Sequence, residues 1–320
     1  RGTFLEAVTN NCIVNVDNYC EIDWLRDLDE KLSIIDSNLQ YDIGVRVNFD
    51  LESKCPDETA SGISGSRFGF CYENGELGRV IDLISAFRNI RLSGVHFHYS
   101  TKTRSLNVYK VISRVICSIK KHYSLNLKYI DIGGGFFGGL FDKPQFNDYF
   151  KVISDELKKE FDKDKTILIV EPGTSLVSSP FKFYTTVVDV KQTIANIFIV
   201  TDGSRINVDP LMTKSKYFYV IESKRDRPVV RSQVISGFTC MENDRLFVLE
   251  DHPLLSVGDK IIYEKVGAYT MCLSPLFIKY FPPVYVKRDN KTHVIRDKWS
   301  YMEYIQKSKI KADLLVCEDV

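Results

Sequence analysis

The 320-residue chain is 44% hydrophobic and 12% aromatic, which is enough apolar material for a large core and roughly two domains. Its 43 basic and 42 acidic side chains nearly cancel, so the charge does not favour a nucleic acid or an anionic membrane as partner. The eight cysteines include no CxxC pair and no apolar run approaches ~18 residues, so we expect reduced thiols, a cytoplasmic protein and no membrane span.

Residues 1–178 alternate between strand-like and helix-like segments. The strand candidates are short and rich in Val, Ile and Tyr: Cys12–Val16, Ile43–Asn48, Val95–Tyr99, Tyr129–Ile132 and Ile167–Glu171. Apolar residues recur at three- and four-residue spacing in Tyr109–Ile119 and Phe146–Phe161, which predicts helices there. This alternation predicts a parallel sheet with helices packed outside it.

The pattern changes after Pro180, where short turns rich in Gly, Asp and Asn join strand candidates with little helix between them. These strands are Phe181–Asp189, Ile197–Thr201, Val229–Ile235, Arg245–Leu249 and Lys260–Val266. We therefore predict an α/β domain over residues 1–178 and an antiparallel β-domain over residues 179–320. The boundary falls near Ser178–Pro180, and Lys298–Ile305 is a candidate closing helix.

The segment Leu127–Gly139 runs from a predicted strand through Asp131 into the glycines Gly133, Gly134 and Gly135. A glycine run after a strand exposes backbone N–H groups that no Cβ shields, and such groups can hold a phosphate. A tight turn that binds nothing fits the same residues, so the segment alone leaves both alternatives open.

Two further strand ends carry polar residues. One strand ends in His96 and His98, and another ends in Glu171 followed by Pro172 and Gly173. Since a parallel barrel places the carboxyl ends of its strands on one face, we expect these residues to converge with the glycine run. Each also has a structural explanation, as a packed histidine, a helix cap or a surface charge. We predict no metal site, because no carboxylate or third histidine follows the histidines at ligand spacing.

Several motifs along the chain occur together in the order of one known family. They are Val45–Asn48, Ser66–Gly69, Gly94–Thr101 (GVHFHYST), Asp131–Phe136 (DIGGGF), Glu171–Gly173, Cys240–Asp244, Gly267–Tyr269 and Phe277–Ile305. Together they resemble the fold-type III pyridoxal-phosphate decarboxylases, which include diaminopimelate, ornithine and arginine decarboxylases. The resemblance covers essentially the whole chain.

The resemblance implies a (β/α)8 TIM-like barrel, of which this chain holds part, followed by a β-domain. It also implies pyridoxal 5'-phosphate as cofactor, a small amino acid as substrate, and a homodimer that shares its active sites. The residues it places at the cofactor phosphate are Gly133, Gly134, Gly135, Gly173 and Tyr269, with Thr101 in the place of a serine near the cofactor. Glu171 would face the pyridine nitrogen and His98 would stack on the ring. Cys240 would act from the partner subunit as proton donor at the substrate α-carbon.

The chain also departs from the family pattern. Thr174 stands where an arginine usually contacts the phosphate, and Met241 stands where an acidic residue usually follows the cysteine. The residues left as candidate substrate contacts are Glu242, Asp244, Arg205, Asp209 and Lys214. This mixture favours neither a diamine precursor nor diaminopimelate, so the substrate stays open.

The family's lysine that tethers the cofactor has no matching motif before His98. Only five of eight expected barrel units are visible, so at roughly 30 residues per unit we expect the lysine and further strands upstream of residue 1. A fragment of this kind would be inactive alone. Two alternatives remain open: a catalytically inactive family member with a regulatory or binding role, and a pyridoxal-dependent racemase or natural-product amino-acid decarboxylase.

Overall fold

A computed structural model of the chain describes residues 1–35, 38–223 and 226–308. The chain folds into two compact units, Arg1–Val177 and Ser178–Val320. The helices of the first unit are α1 (Gly2–Thr9), α2 (Tyr19–Ile35), α3 (Glu76–Ser85), α4 (Leu106–His122), α5 (Phe146–Leu157) and α6 (Thr174–Val177). Its strands are β1 (Asn15–Val16), β2 (Tyr41–Asn48), β3 (Phe70–Cys71), β4 (Ile90–Tyr99), β5 (Tyr129–Gly134) and β6 (Ile167–Glu171).

The first unit is built on a parallel sheet, as the alternation of strands and helices predicts. Its strand order is β1-β2-β4-β5-β6, and the short strand β3 also pairs with β2. Every residue of β5 is buried, which identifies it as the most enclosed strand. The strands expected by pattern are all present, whereas β3 has only two residues and lay below what periodicity can detect.

Helix α4 illustrates how the sequence specifies the outer layer. Its N-cap residue Ser105 accepts a hydrogen bond from the backbone N–H of Val108 at 3.3 Å, and its last turn carries Lys120, Lys121 and His122. The cap gives an unpaired N–H of the first turn a hydrogen-bond acceptor, and the basic residues interact favourably with the negative end of the helix dipole. The apolar side chains that it buries are Val108, Tyr109, Ile112, Ile116 and Ile119. No helix among the described residues has the length and apolar content to cross a membrane.

The register of three adjacent strands decides which polar side chains meet. On β4 and β5, His96 lies opposite Asp131 and His98 lies opposite Gly133. Gly133 in turn lies opposite Glu171 on β6. Because residues two apart on a strand face the same side of a sheet, these two rows of residues share one face.

The second unit contains a six-stranded sheet and a separate hairpin. Its strands are β7 (Lys182–Gln192), β8 (Ile197–Thr201), β9 (Phe218–Glu222), β10 (Val229–Ser236), β11 (Arg245–Pro253), β12 (Lys260–Glu264), β13 (Val284–Arg288) and β14 (Lys291–Arg296). Its short helices are α7 (Arg205–Val208), α8 (Thr270–Leu273) and α9 (Tyr301–Ile305). The sheet order is β11-β10-β8-β7-β12-β9, and β13 pairs with β14.

The prediction of a purely antiparallel sheet in this unit is corrected at one pair of strands. β8 and β10 run parallel, while the other pairs of the six-stranded sheet are antiparallel. A parallel neighbour requires a crossover connection. Here the connection includes α7 and β9, which the sequence pattern did not reveal. The sheet is therefore mixed.

Candidate active site

Three residues in one row across the sheet form the centre of the candidate site. His98 Nδ1 lies 3.2 Å from Glu171 Oε2, and Gly133 lies between them in the strand register. A Cβ on Gly133 would overlap both His98 Nδ1 and Glu171 Oε2. The absence of a side chain on Gly133 therefore allows the imidazole and the carboxylate to meet.

A second polar row, His96 and Asp131, lies next to the first. His96 Nε2 lies 3.7 Å from Glu171 Oε2, and Asp131 accepts a hydrogen bond from Asn15 Nδ2 at 3.2 Å. His96 is 9% exposed and Asp131 is 5% exposed. Among the described residues, His96 Nε2 and Asp131 Oδ1 find no hydrogen-bond partner. Buried polar atoms without partners are costly, and they are typical of functional sites.

Burial also changes the acidity of this second row. It raises the pKa of Asp131 from its ordinary 3.8 to about 6, and the negative charge of Glu171 adds to the rise. Burial lowers the pKa of His96, although the neighbouring Glu171 carboxylate acts in the opposite direction. Both shifts favour the uncharged forms, because moving a charge out of water costs free energy.

We expect Asp131→Asn to raise the free energy of unfolding of the complete gene product at pH 7.5 by about 1–3 kcal/mol. A carboxyl whose pKa is raised by folding binds its proton more tightly in the folded state. The protonated Asp131 carboxyl therefore stabilises the folded state fully below pH 3.8, and this stabilisation is lost as the pH rises through about 6. Denaturant unfolding at pH 5 and pH 7.5, without added ligands, measures this difference, with the exposed Asp142→Asn as control. Equal stability of Asp131→Asn and the wild type at pH 7.5 would contradict the prediction.

The three donor residues His96, His98 and Glu171 correct the reasoning behind the predicted absence of a metal site. The ligand atoms of all three lie within 4.8 Å of one another. The carboxylate that the local sequence lacked comes from Glu171, 73 residues after His98. Two imidazoles and one carboxylate are a donor set that Zn²⁺ accepts. The geometry therefore permits a metal, and a chelator test is included with the functional assay below.

The glycine run, whose first two residues end β5, is packed against an aromatic cluster. The Phe136 ring stacks on Tyr149 with 4.3 Å between centroids, and Tyr109 meets Phe136 edge-on at 4.8 Å. Tyr109 also donates a hydrogen bond to the carbonyl of Gly135 at 3.0 Å. Gly134 has a φ of +121°, which residues with a Cβ rarely adopt. The cluster and the glycine conformation together fix the path of this loop.

The other residues that the resemblance places near the cofactor lie in short polar segments. Thr101 follows β4, and its Oγ1 accepts a hydrogen bond from the backbone N–H of Arg104 at 3.2 Å. Gly173 follows β6 with a φ of +50° and precedes the single-turn helix α6. In the second unit, Tyr269 has a φ of +65° and a side chain that is largely exposed. These residues therefore offer a hydroxyl, a backbone turn and a phenol.

The loop that carries Cys240 is organised by Asp244. Cys240 is exposed, whereas Asp244 is 2% exposed. Asp244 Oδ1 accepts hydrogen bonds from Ser204 Oγ at 2.9 Å and from the Arg205 N–H at 2.7 Å. Asp244 Oδ2 accepts hydrogen bonds from the Thr239 N–H at 3.0 Å and from its hydroxyl at 2.6 Å. Both carboxylate oxygens are thus engaged within the unit, and the contact of Asp244 with a substrate stays a prediction.

Two other candidate substrate contacts also have internal partners. Arg205 Nε donates to Asp209 Oδ2 at 3.0 Å, and its Nη2 donates to the carbonyl of Met212 at 2.7 Å. Lys214 Nζ donates to the carbonyl of Val208 at 2.7 Å, and burial lowers the pKa of Lys214. Both cations therefore support the loop after α7, and their contact with a substrate stays a prediction.

Glu242 is the remaining acidic candidate in the Cys240 loop. Its side chain is 92% exposed and pairs with Arg245 at 2.7 Å. The structure thus leaves Glu242 accessible, whereas it uses Asp244 as an anchor of the loop. Sequence spacing alone could not distinguish these two carboxylates.

The structure places Asp131 and Arg104 near the predicted site, although the sequence pattern had assigned a role to neither. His96 had been expected at this edge of the sheet, with a packed structural histidine as the alternative. The alternation of side chains along β5 is the signal that could have found Asp131. The position of Arg104 depends on loop geometry, for which the sequence gives no comparable signal.

Comparisons with known proteins match most of this chain. The family profile described as "Pyridoxal-dependent decarboxylase, pyridoxal binding domain" matches residues 3–178. The diaminopimelate decarboxylase of Bacillus subtilis is 26% identical over 310 residues, which cover 92% of this chain and 69% of that protein. The diaminopimelate decarboxylase of Helicobacter pylori is 27% identical over 271 residues, which cover 81% of this chain and 63% of that protein.

A solved structure extends the comparison to the fold. The diaminopimelate decarboxylase of M. jannaschii, crystallised with L-lysine, superposes with a TM-score of 0.83 at 20% sequence identity. The match covers 98% of this chain and 73% of that one. This likeness confirms the predicted fold class, an α/β barrel domain followed by a β-domain. Because the family profile matches more than half of the residues, the chain belongs to the pyridoxal-dependent decarboxylase family, with its pyridoxal-binding domain at residues 3–178.

Proposed function

We propose that the complete protein uses pyridoxal phosphate to decarboxylate a small amino acid, most like diaminopimelate. The observation that carries the proposal is the row of His98, Gly133 and Glu171, which lies beside a glycine run within the matched pyridoxal-binding domain. The names of the relatives support diaminopimelate as the substrate class.

The residues of the first unit fit this cofactor. Because Gly133 has no Cβ, the imidazole of His98 and the carboxylate of Glu171 can approach each other over its backbone. Glu171 has about half of its side chain exposed, so its carboxylate can still accept a hydrogen bond from a ligand. When bound, pyridoxal phosphate supplies an electron-poor pyridine ring that takes up the electron pair left by a departing carboxylate.

Within this proposal, the side chains of the central row have distinct tasks. Glu171 would pair with the pyridine nitrogen and keep that nitrogen protonated, because a nearby negative charge favours the protonated ring. The contact of 3.2 Å between His98 and Glu171 orients that carboxylate, and the imidazole of His98 would stack on the ring. The buried His96 and Asp131 exclude water from behind this row.

The proposal also assigns hydrogen-bond donors to the cofactor phosphate. Within the first unit, the backbone N–H groups of the glycine run and of Gly173 and the hydroxyl of Thr101 are donors suited to a charged oxyanion. The phenol of Tyr269 is a further predicted donor. We further propose a homodimer in which the exposed thiol of Cys240 reaches the site of the partner subunit. There it would deliver a proton to the substrate α-carbon.

The test uses the complete gene product. After incubation with pyridoxal phosphate, it is expected to release CO2 from diaminopimelate, and lysine, ornithine and arginine serve as comparison substrates. Failure to bind pyridoxal phosphate would refute the proposal. Binding without CO2 release from any amino acid would indicate an inactive family member, and exchange of the α-hydrogen in deuterated water with retention of the carboxylate would indicate a racemase.

A chelator provides the control for the histidine and carboxylate cluster. If pyridoxal phosphate occupies the space beside His98 and Glu171, EDTA should leave CO2 release within about twofold of the untreated rate. Because a ring and a metal ion would need the same donor atoms, loss of activity that Zn²⁺ restores would assign the cluster to a metal instead.

A further inference from the structure

The side chain of Arg104 lies along the glycine run of the first unit. Its Nε is 3.2 Å and its Cζ 3.5 Å from the position that a Cβ on Gly135 would occupy. Its Nη1 donates a hydrogen bond to the carbonyl of Phe136 at 3.3 Å. The guanidinium also lies over the Phe137 ring, 5.4 Å from the centroid. A positive charge thus lies next to the backbone that the proposed function assigns to a phosphate.

This guanidinium lacks a counter-ion. Within residues 1–35, 38–223 and 226–308, no carboxylate forms an ion pair with Arg104, whereas Arg205 pairs with Asp209 and Arg227 pairs with Asp259. A guanidinium carries five N–H donors in a fixed fork that matches the oxygens of phosphate. Arg104 uses one of them on the Phe136 carbonyl, so most of its donors remain available to an anion.

The backbone of Arg104 is held in an uncommon conformation. Its φ is +51°, in the left-handed region that residues other than glycine seldom adopt. Tyr149 donates a hydrogen bond to the Arg104 carbonyl at 2.7 Å, and Thr101 Oγ1 accepts one from the Arg104 N–H. Tyr149 also stacks on Phe136, which belongs to the glycine loop. The same aromatic cluster therefore fixes both the loop and the arginine relative to each other.

We propose that Arg104 binds the cofactor phosphate through its guanidinium. The inference rests on the proposed function, since it assigns a charged partner to the phosphate of the same cofactor. After β6, Thr174 offers only a hydroxyl at the position where the family pattern has an arginine that contacts the phosphate. Arg104 would supply a positive charge from the segment that follows β4.

The test compares Arg104→Met with Lys102→Met in the complete gene product. Lys102 is an exposed cation in the same loop, so its substitution removes an equal charge away from the glycine run. Apoprotein is titrated with pyridoxal phosphate and with pyridoxal, which lacks the phosphate. We expect Arg104→Met to weaken the binding of pyridoxal phosphate by roughly 10- to 100-fold and to leave pyridoxal binding unchanged. Lys102→Met should change neither affinity by more than about twofold.

The outcomes separate this inference from the proposed function. If the wild type binds no pyridoxal phosphate, the proposed function itself fails. If the wild type binds it and Arg104→Met binds it equally well, only the role of Arg104 is refuted. Equal weakening toward pyridoxal phosphate and pyridoxal would also refute it, because a purely structural defect has no reason to distinguish the two.

A conservative variant and a spectroscopic measurement guard against misfolding of Arg104→Met. Arg104→Lys keeps the charge but loses the planar fork, so we expect a smaller loss of affinity for pyridoxal phosphate. The ³¹P resonance of the bound cofactor provides a second measurement. The guanidinium should hold the phosphate as a dianion in the wild type, whereas in Arg104→Met the resonance should titrate near pH 6. Identical ³¹P titrations in the wild type and Arg104→Met would contradict the proposal.

Discussion

Glu171→Gln is expected to reduce CO2 release by at least about 100-fold while the protein still binds pyridoxal phosphate. The amide has nearly the shape of the carboxylate, so the row with Gly133 and His98 should remain. It has no negative charge, however, and cannot favour a proton on the pyridine nitrogen. The ring would then be a weaker acceptor for the electron pair released with CO2.

Steady-state rates and cofactor titration of the complete gene product measure the two effects separately. The matched control is Glu30→Gln, which makes the same change at an exposed carboxylate of α2. We expect the control to retain the wild-type rate. A rate within about twofold of wild type for Glu171→Gln would refute the assignment of Glu171 to the ring nitrogen. Loss of cofactor binding in Glu171→Gln would show that the carboxylate is needed for binding and not only for catalysis.

The convergence of strand ends could be predicted because it follows from topology. Parallel strands place their carboxyl ends on one edge, so His98, the glycine run and Glu171 had to lie near one another once the alternating pattern was recognised. The register could not be predicted in the same way. That Gly133 lies between His98 and Glu171 depends on a pairing that a shift of one residue would destroy.

The roles of Asp244 and Arg205 could not be predicted from the sequence. Asp244 lies four residues after a candidate catalytic cysteine, and Arg205 lies in a segment where the family resemblance implies substrate contacts, which made substrate contact a reasonable expectation. In the structure, the Asp244 carboxylate caps the backbone of two loops, and Arg205 pairs with Asp209. Sequence does not reveal whether a charged group will satisfy the backbone or remain free, because the competing donors come from residues distant in the chain.

Cys240→Ala is expected to lower the rate of CO2 release by about 100-fold or more. The affinity for pyridoxal phosphate should stay within about twofold of wild type, because the thiol is assigned to the substrate and not to the cofactor. Parallel measurements of turnover and cofactor affinity test both parts. Cys20→Ala, at an exposed cysteine of α2, is the control and should retain full activity.

Cys240→Ser distinguishes a proton donor from a side chain that merely fills space. Serine keeps the approximate size of cysteine, and the bonds of Asp244 to Ser204, Arg205 and Thr239 should hold the loop in place. Its hydroxyl, however, is a far weaker acid than a thiol, whose pKa is ordinarily about 8.5. If Cys240 delivers a proton, Cys240→Ser should be nearly as slow as Cys240→Ala. If the serine variant recovers the wild-type rate, proton donation by the thiol is refuted, and the loop would contribute to the site through its shape.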